Sequence, residues 1–321
     1  MDLSEYINYK NQTMINEFVL IGLTDLVEIQ FTIYGVFLLF YCLTLLGNLS
    51  IMITTIKDSN LHTPMYFFLW NLSLVDIGFS SVSVPKMLTD FFATRKLISF
   101  GGCISQIYFF HLFGTTEVML LAVMSYDRFV AIGNPLRYIL IMNSKVCLSF
   151  ALSCWISGFF HSLLHTVLTA KLPYCQANLV NHFFCDVKPV LKLACTDTSF
   201  TLKLLTRVAG SVSSITFTLT FLSYLFIIKF VMQIQTKRGR KNAFSTCSAH
   251  LTVVFMLYGT AIFTYMRPLA QQSLDHDRVV AVLFTVVTPA LNPIIYTLRN
   301  KEMREAIKRI YKNIFLFVEN A

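Results

Sequence analysis

The chain has 321 residues, of which 55% are hydrophobic and 13% charged, against about 25% charged in a soluble domain. That composition excludes an ordinary soluble enzyme or binding domain and indicates a membrane protein. The net charge is +9; its basic residues cluster in the connections on one side, which reads as topology and contact with anionic lipid, not nucleic-acid binding.

A helix that crosses a bilayer needs about 20 mostly apolar residues, and seven such stretches account for most of the chain. The predicted fold class is therefore an all-α membrane protein, a seven-transmembrane helix bundle ending in a short amphipathic helix. Its predicted divisions are an outer N-terminal tail over 1–28, the bundle over 29–298, and a cytoplasmic amphipathic helix and tail over 299–321. Lys57, Arg137, Lys145, Lys237, Arg238, Arg240 and Lys241 all fall on one side, with Arg299, Lys301, Arg304, Lys308, Arg309 and Lys312 after the last span. The N-terminal tail is net acidic. An excess of Lys and Arg marks the cytoplasmic side, so the N-terminus is expected outside and the C-terminus inside, at the plasma membrane. The first 25 residues lack a basic start followed by an apolar core, so the first span is expected to act as the insertion signal.

Asn11 heads an Asn-Gln-Thr glycosylation acceptor in the outer tail. Two further matches, at Asn48 and Asn71, lie inside spans and should not be modified. Span 1 covers 29–56 and contains Gly47-Asn48. Span 2 covers 61–87 and runs through Pro64-Met-Tyr-Phe-Phe-Leu69 to Asp76. Span 3 covers 102–132, with Cys103 at its outer end and Glu117 inside, and ends in Met124-Ser-Tyr-Asp-Arg-Phe-Val-Ala-Ile-Gly-Asn-Pro-Leu-Arg-Tyr138. The charges of Asp127 and Arg128 are costly in hydrocarbon and belong at a helix end. Span 4 covers 146–170 and carries His161 and His165 near its outer end. The outer loop 171–200 is long enough to suggest a role of its own. Span 5 covers 204–230. Span 6 opens Asn242-Ala-Phe-Ser-Thr-Cys-Ser-Ala-His250 and runs to about 266. Span 7 covers 279–298 and contains Pro289-Ala-Leu-Asn-Pro-Ile-Ile-Tyr296. Met303, Ile307, Ile310 and Ile314 then recur at helical spacing among Lys and Arg, as in a helix lying on the inner leaflet.

Buried polarity within spans is expensive and marks function. Asn48, Asp76, Glu117 and Asn292 qualify; facing carboxylates need a shared proton or a cation. Cys103, Cys175, Cys185 and Cys195 fall on the oxidising outer side, where disulfides are expected, and four cysteines allow three pairings. Their spacing is not that of a compact metal knuckle, and no metal site is expected. No catalytic carboxylate pair, nucleophile–base set or phosphate loop stands out, so the chain is not expected to be an enzyme. An ion-coupled transporter or channel using Asp76 and Glu117 is the alternative. It would predict repeated halves with interrupted helices, and no repeat is visible.

The run from Met124 to Tyr138 resembles the inner end of helix 3 in olfactory receptors, a family of rhodopsin-like G-protein-coupled receptors. Ser125, Phe129 and Gly133 stand where the family pattern has Ala, Tyr and Cys. Pro64 through Asp76, the opening of span 6 and the span 7 Asn-Pro-x-x-Tyr are similar to the family in the same order, with Asn242 and Ala249 replacing Lys and Ser. The resemblance implies a receptor that binds a small hydrophobic volatile and activates the olfactory stimulatory G protein, raising cyclic AMP. It implies that Asp76 and Asn292 face one another, and so a sodium site from Asp76 and Glu117 with Asn48 or Asn292; no other cofactor is expected. It implies the pairings Cys103–Cys185 and Cys175–Cys195. The odorant contacts expected are Phe110, His111, Gly114 and Thr115 on span 3, Val208 and Val212 on span 5, Tyr258, Ile262 and Tyr265 on span 6, and Thr285 on span 7. The coupling residues expected are Asp127, Arg128, Tyr224, Asn292, Pro293 and Tyr296. Membrane lipids are the remaining partner.

Overall fold

The computed structural model describes residues 16–23, 27–175, 178–265 and 274–319, with the backbone alone described at 27–28, 238–239, 241–246, 260–265, 274–277, 299, 311 and 313–319. Asn11 lies outside the described residues.

Seven long helices follow in order: α1 (Val27–Lys57), α2 (Pro64–Asp90), α3 (Phe100–Gly133), α4 (Ser144–Ala170), α5 (Ser199–Gln233), α6 (Lys237–Tyr265) and α7, the last built from Leu274–Val282, a π-helical turn Leu283–Val287 and Thr288–Arg299. A C-terminal helix, α8 (Lys301–Glu319), turns away after Asn300. Among the described residues six helices are long and apolar enough to cross a bilayer, and α6 adds a shorter apolar stretch at Cys247–Gly259. Large apolar side chains such as Phe31, Leu46, Ile228 and Phe255 are exposed on the outside of the bundle. In water that surface would be untenable; in hydrocarbon it is the expected exterior. The chain is a multi-pass membrane protein.

The helix starts are written locally. Pro64 sits in the first turn of α2, where its missing N–H costs nothing. Ser99 caps α3 by accepting from the Gly102 N–H, and Asn143 caps α4 by accepting from Lys145 and Val146. Helix α3 is the hub, packing against α2, α4 and α5. Its approach to α4 depends on Gly158: a Cβ there would lie 2.4 Å from the Thr116 hydroxyl and 2.9 Å from the Leu112 carbonyl. Small residues at such crossings let two backbones come close.

The all-α expectation omits one element. On the outer side, β1 (Glu17–Leu20) lies between β2 (Leu97–Ser99), to which it is antiparallel, and β3 (Leu179–Val180), to which it is parallel. Strands of two to four residues are too short to leave an alternating pattern in sequence. The sheet covers a cluster containing Phe18, Cys103, Tyr174, Val180 and Cys185. The long loop beneath also holds a short helix, Val187–Leu191, and two disulfides, Cys103–Cys185 and Cys175–Cys195.

At the inner end α8 is docked rather than laid only on lipid: Met303 and Ala306 are buried in the main core cluster. The Arg309 guanidinium donates to Asp58 in the first inner connection, from Nε at 3.1 Å and from the terminal nitrogen at 2.6 Å. Tyr66 adds a second tie, donating to Glu302 at 2.8 Å.

Candidate functional site

The polar groups form three tiers along the bundle axis. The inner tier is built on the end of α3. Arg128 is buried and paired with its neighbour Asp127, with Nε donating to Oδ2 at 3.0 Å. The other Asp127 oxygen accepts from the Tyr138 hydroxyl at 2.7 Å. Burial and the neighbouring Asp127 push the Tyr138 phenol well up, so it stays a donor. Both oxygens of the buried carboxylate are thus hydrogen-bonded, which a buried charge pair needs to offset its desolvation. Across from it, Tyr224 on α5 shares a 2.7 Å hydrogen bond with His250 on α6, their rings stacked 5.9 Å apart. Tyr296 on α7 is fully buried, and its hydroxyl is without a partner among the described residues. Tyr138 and His250 had no role assigned from sequence. Each closes one of the quoted motifs, but nothing in a linear run says that its last residue reaches back to the acid or across to another helix.

In the middle tier the Asn292 amide donates to both Asp76 oxygens, at 3.0 and 3.1 Å. The Asn48 amide donates to the Thr44 and Pro289 carbonyls. Several buried oxygens here are without partners among the described residues: Asn48 Oδ1, Asn292 Oδ1, Glu117 Oε1 and the hydroxyls of Ser73 and Ser80. Buried acceptors in such number need a proton or a cation. An all-oxygen donor set suits a hard ion.

In the outer tier Phe110 packs between Phe79 and Phe184, with ring centroids 5.0 and 5.1 Å away. A Cβ on Gly114 would touch the Phe79 ring. The Thr115 hydroxyl bonds His161 Nδ1 at 2.9 Å. Val208 and Val212 are half-buried on one face of α5. Tyr258 is buried on α6, edge-on to Phe217. Thr285 lies in the π-helical turn of α7, its hydroxyl spent on the Ala281 carbonyl. The side chains of Ile262 and Tyr265 lie outside the described residues. The structure thus puts the α3 residues beside α2, α4 and the outer loop, and Tyr258 against α5. Two clefts, of about 440 Å³ between α2 and α3 and about 370 Å³ among α3, α4 and α5, are lined by other residues than these ten.

A seven-helix membrane bundle with an acid–Arg pair at the inner end of its third helix has the architecture of a G-protein-coupled receptor. Comparison with known proteins narrows the class. The family model described as Olfactory receptor matches residues 37–314. Human Olfactory receptor 12D1 is 50% identical over 94% of this chain and 95% of its own length. Human Olfactory receptor 12D3 is 48% identical over 94% and 96%, and mouse Olfactory receptor 5G9 48% over 97% and 99%. The chain belongs to the olfactory receptor family, whose members sense odorants through G-protein signalling and are not enzymes.

Proposed function

We propose that this receptor binds a small, poorly water-soluble volatile in the outer half of the bundle and activates a stimulatory G protein from its inner face, raising cyclic AMP. The observation that carries the reading is the closed inner tier: Arg128 is buried and engaged by Asp127, which Tyr138 holds in turn. Such an arrangement keeps Arg128 from a partner until α6 moves. A ligand drives that motion only by binding the open state more tightly than the closed one. The N-terminus is outside and the C-terminus inside, in accord with the basic inner connections. The test is a cyclic AMP readout in cells supplying the olfactory G protein, across a chemically broad odorant panel, with surface expression matched. An odorant response in the native chain that Arg128→Ala abolishes supports the reading. A response that survives Arg128→Ala would overturn the role given to the inner tier.

The middle tier is proposed to hold sodium between Asp76 and Glu117, with Asn48 and Asn292 supplying amide oxygens. The unpartnered oxygens support this. Sodium should raise the thermal unfolding midpoint relative to an equal concentration of N-methylglucamine, and Asp76→Asn should remove the difference. Equal midpoints in the two salts for the native chain would exclude the ion.

A further inference from the structure

The outer tier contains a cluster of which the odorant reading uses only His111. His111 on α3 and His161 and His165 on α4 converge. The ring of His165 stacks 4.3 Å from that of His111 and lies 4.2 Å from that of His161. Each offers one ring nitrogen, and the three nitrogens lie within 4.8 Å of one another. The residues come from two helices: His161 and His165 share a face because they are four apart, and Gly158, one turn before, lets α3 in close enough to add His111.

Two of the three rings keep a buried nitrogen without a partner among the described residues. His161 Nδ1 is engaged by Thr115 at 2.9 Å, and its Nε2 is buried without a partner. His165 Nδ1 donates to the His161 carbonyl at 2.9 Å, and the Leu205 backbone also hydrogen-bonds this side chain, a bond that metal ligation by the same nitrogen would replace. His111 Nε2 is also buried without a partner. A partner holding one imidazole nitrogen, so that the other points at an ion, is the usual support of a histidine metal ligand. A stacked trio in a plain core would leave two buried nitrogens unsatisfied, at a cost of about 1–3 kcal/mol each.

We propose that His111, His161 and His165 form a binding site for a divalent transition-metal ion of the zinc type. Neutral imidazoles suit zinc and copper, and an all-nitrogen set disfavours magnesium and calcium. Tetrahedral zinc with nitrogens at about 2.0–2.1 Å holds its ligand atoms about 3.3 Å apart, closer than the 4.8 Å within which the three nitrogens now lie, so binding requires the stacked rings to rotate about their side-chain bonds until their nitrogens converge. Three protein ligands leave a fourth position open. The ion would join α3 to α4.

The site is tested without any odorant, so its fate is separate from that of the odorant reading. The full chain, made without a polyhistidine tag and held in lipid nanodiscs, is titrated with zinc chloride against a chromophoric chelator. Cobalt chloride gives a second readout through its visible d–d absorption. One ion per receptor is expected. Binding should be lost in His111→Phe and weakened about 10- to 100-fold in Thr115→Val, which removes the group orienting His161. His111→Phe should keep the native unfolding midpoint in chelator, and the binding of Thr115→Val is read on the fraction that remains folded. His111→Gln serves in the same role if the bulkier Phe prevents folding. No zinc binding by the native chain, or equal binding after loss of His111, would overturn the site.

Discussion

At the scale of single residues, the inner tier shows how an acid–Arg pair is kept inside a bundle. Arg128 satisfies one oxygen of Asp127 and Tyr138 the other. Removing the tyrosine hydroxyl leaves a buried carboxylate oxygen unpaired and weakens the hold on the closed state. A hydrogen bond to a charged group contributes about 1.5–3 kcal/mol, and every 1.4 kcal/mol is about tenfold in an equilibrium. Tyr138→Phe is therefore expected to raise odorant-independent cyclic AMP by about tenfold or more, measured at matched surface expression. A basal level equal to that of the native chain would show that the contact does not restrain the receptor. Asp127 and Arg128 were legible in sequence because adjacent opposite charges at a span end are conspicuous. The acid's second partner was not, because Tyr138 returns to it only through the turn at Asn134 and Pro135.

At the scale of elements, the docking of α8 turns on one ion pair and one buried apolar face. The Arg309 guanidinium beside Asp58 holds that carboxyl below the usual carboxylate range. A folded pKa below the unfolded one means that the contact contributes stability above the ordinary aspartate value of about 3.9, and that this is lost as pH falls through the depressed value. The tie is thus complete at neutral pH, and acidification to moderately low pH should not release it. Arg309→Ala should release it at pH 7. Amide exchange over residues 301–312 would accelerate, while the interior of α3 stayed protected. Unchanged exchange would mean that Met303, Ala306 and the Tyr66–Glu302 hydrogen bond hold the helix without the ion pair. The amphipathic spacing made α8 legible as a helix, but not which surface its apolar face would cover.

At the scale of the whole molecule, three separated segments meet to close the outer end. Strand β1 brings the N-terminal tail between the connection after α2 and the long loop before α5. Phe18 on that strand is fully buried and packs edge-on to Tyr174 at 5.7 Å. Truncating a buried Phe to Ala costs about 3–5 kcal/mol. Phe18→Ala is expected to loosen the outer lid without unfolding the spans. Exchange at residues 97–99 and 179–180 should rise and surface delivery should fall, with helical circular dichroism retained. A variant with native exchange at both strands would show that the sheet does not depend on this anchor.

What the sequence by itself determined is the number and order of the spans and the family. Seven apolar runs and four motifs are local signals, and hydrocarbon forces each run into a helix whose backbone groups are satisfied within it. Asp76 and Asn292 were singled out for the same reason, since a polar side chain inside an apolar run stands out wherever it occurs. Only the tertiary structure decided what those helices bring together. His111 looked like a lone histidine because its two companions lie fifty and more residues away; they meet because Gly158 lets α3 approach α4. The outer sheet was hidden for a related reason: its strands are too short to declare themselves locally, and they exist only because distant loops supply the hydrogen-bond partners.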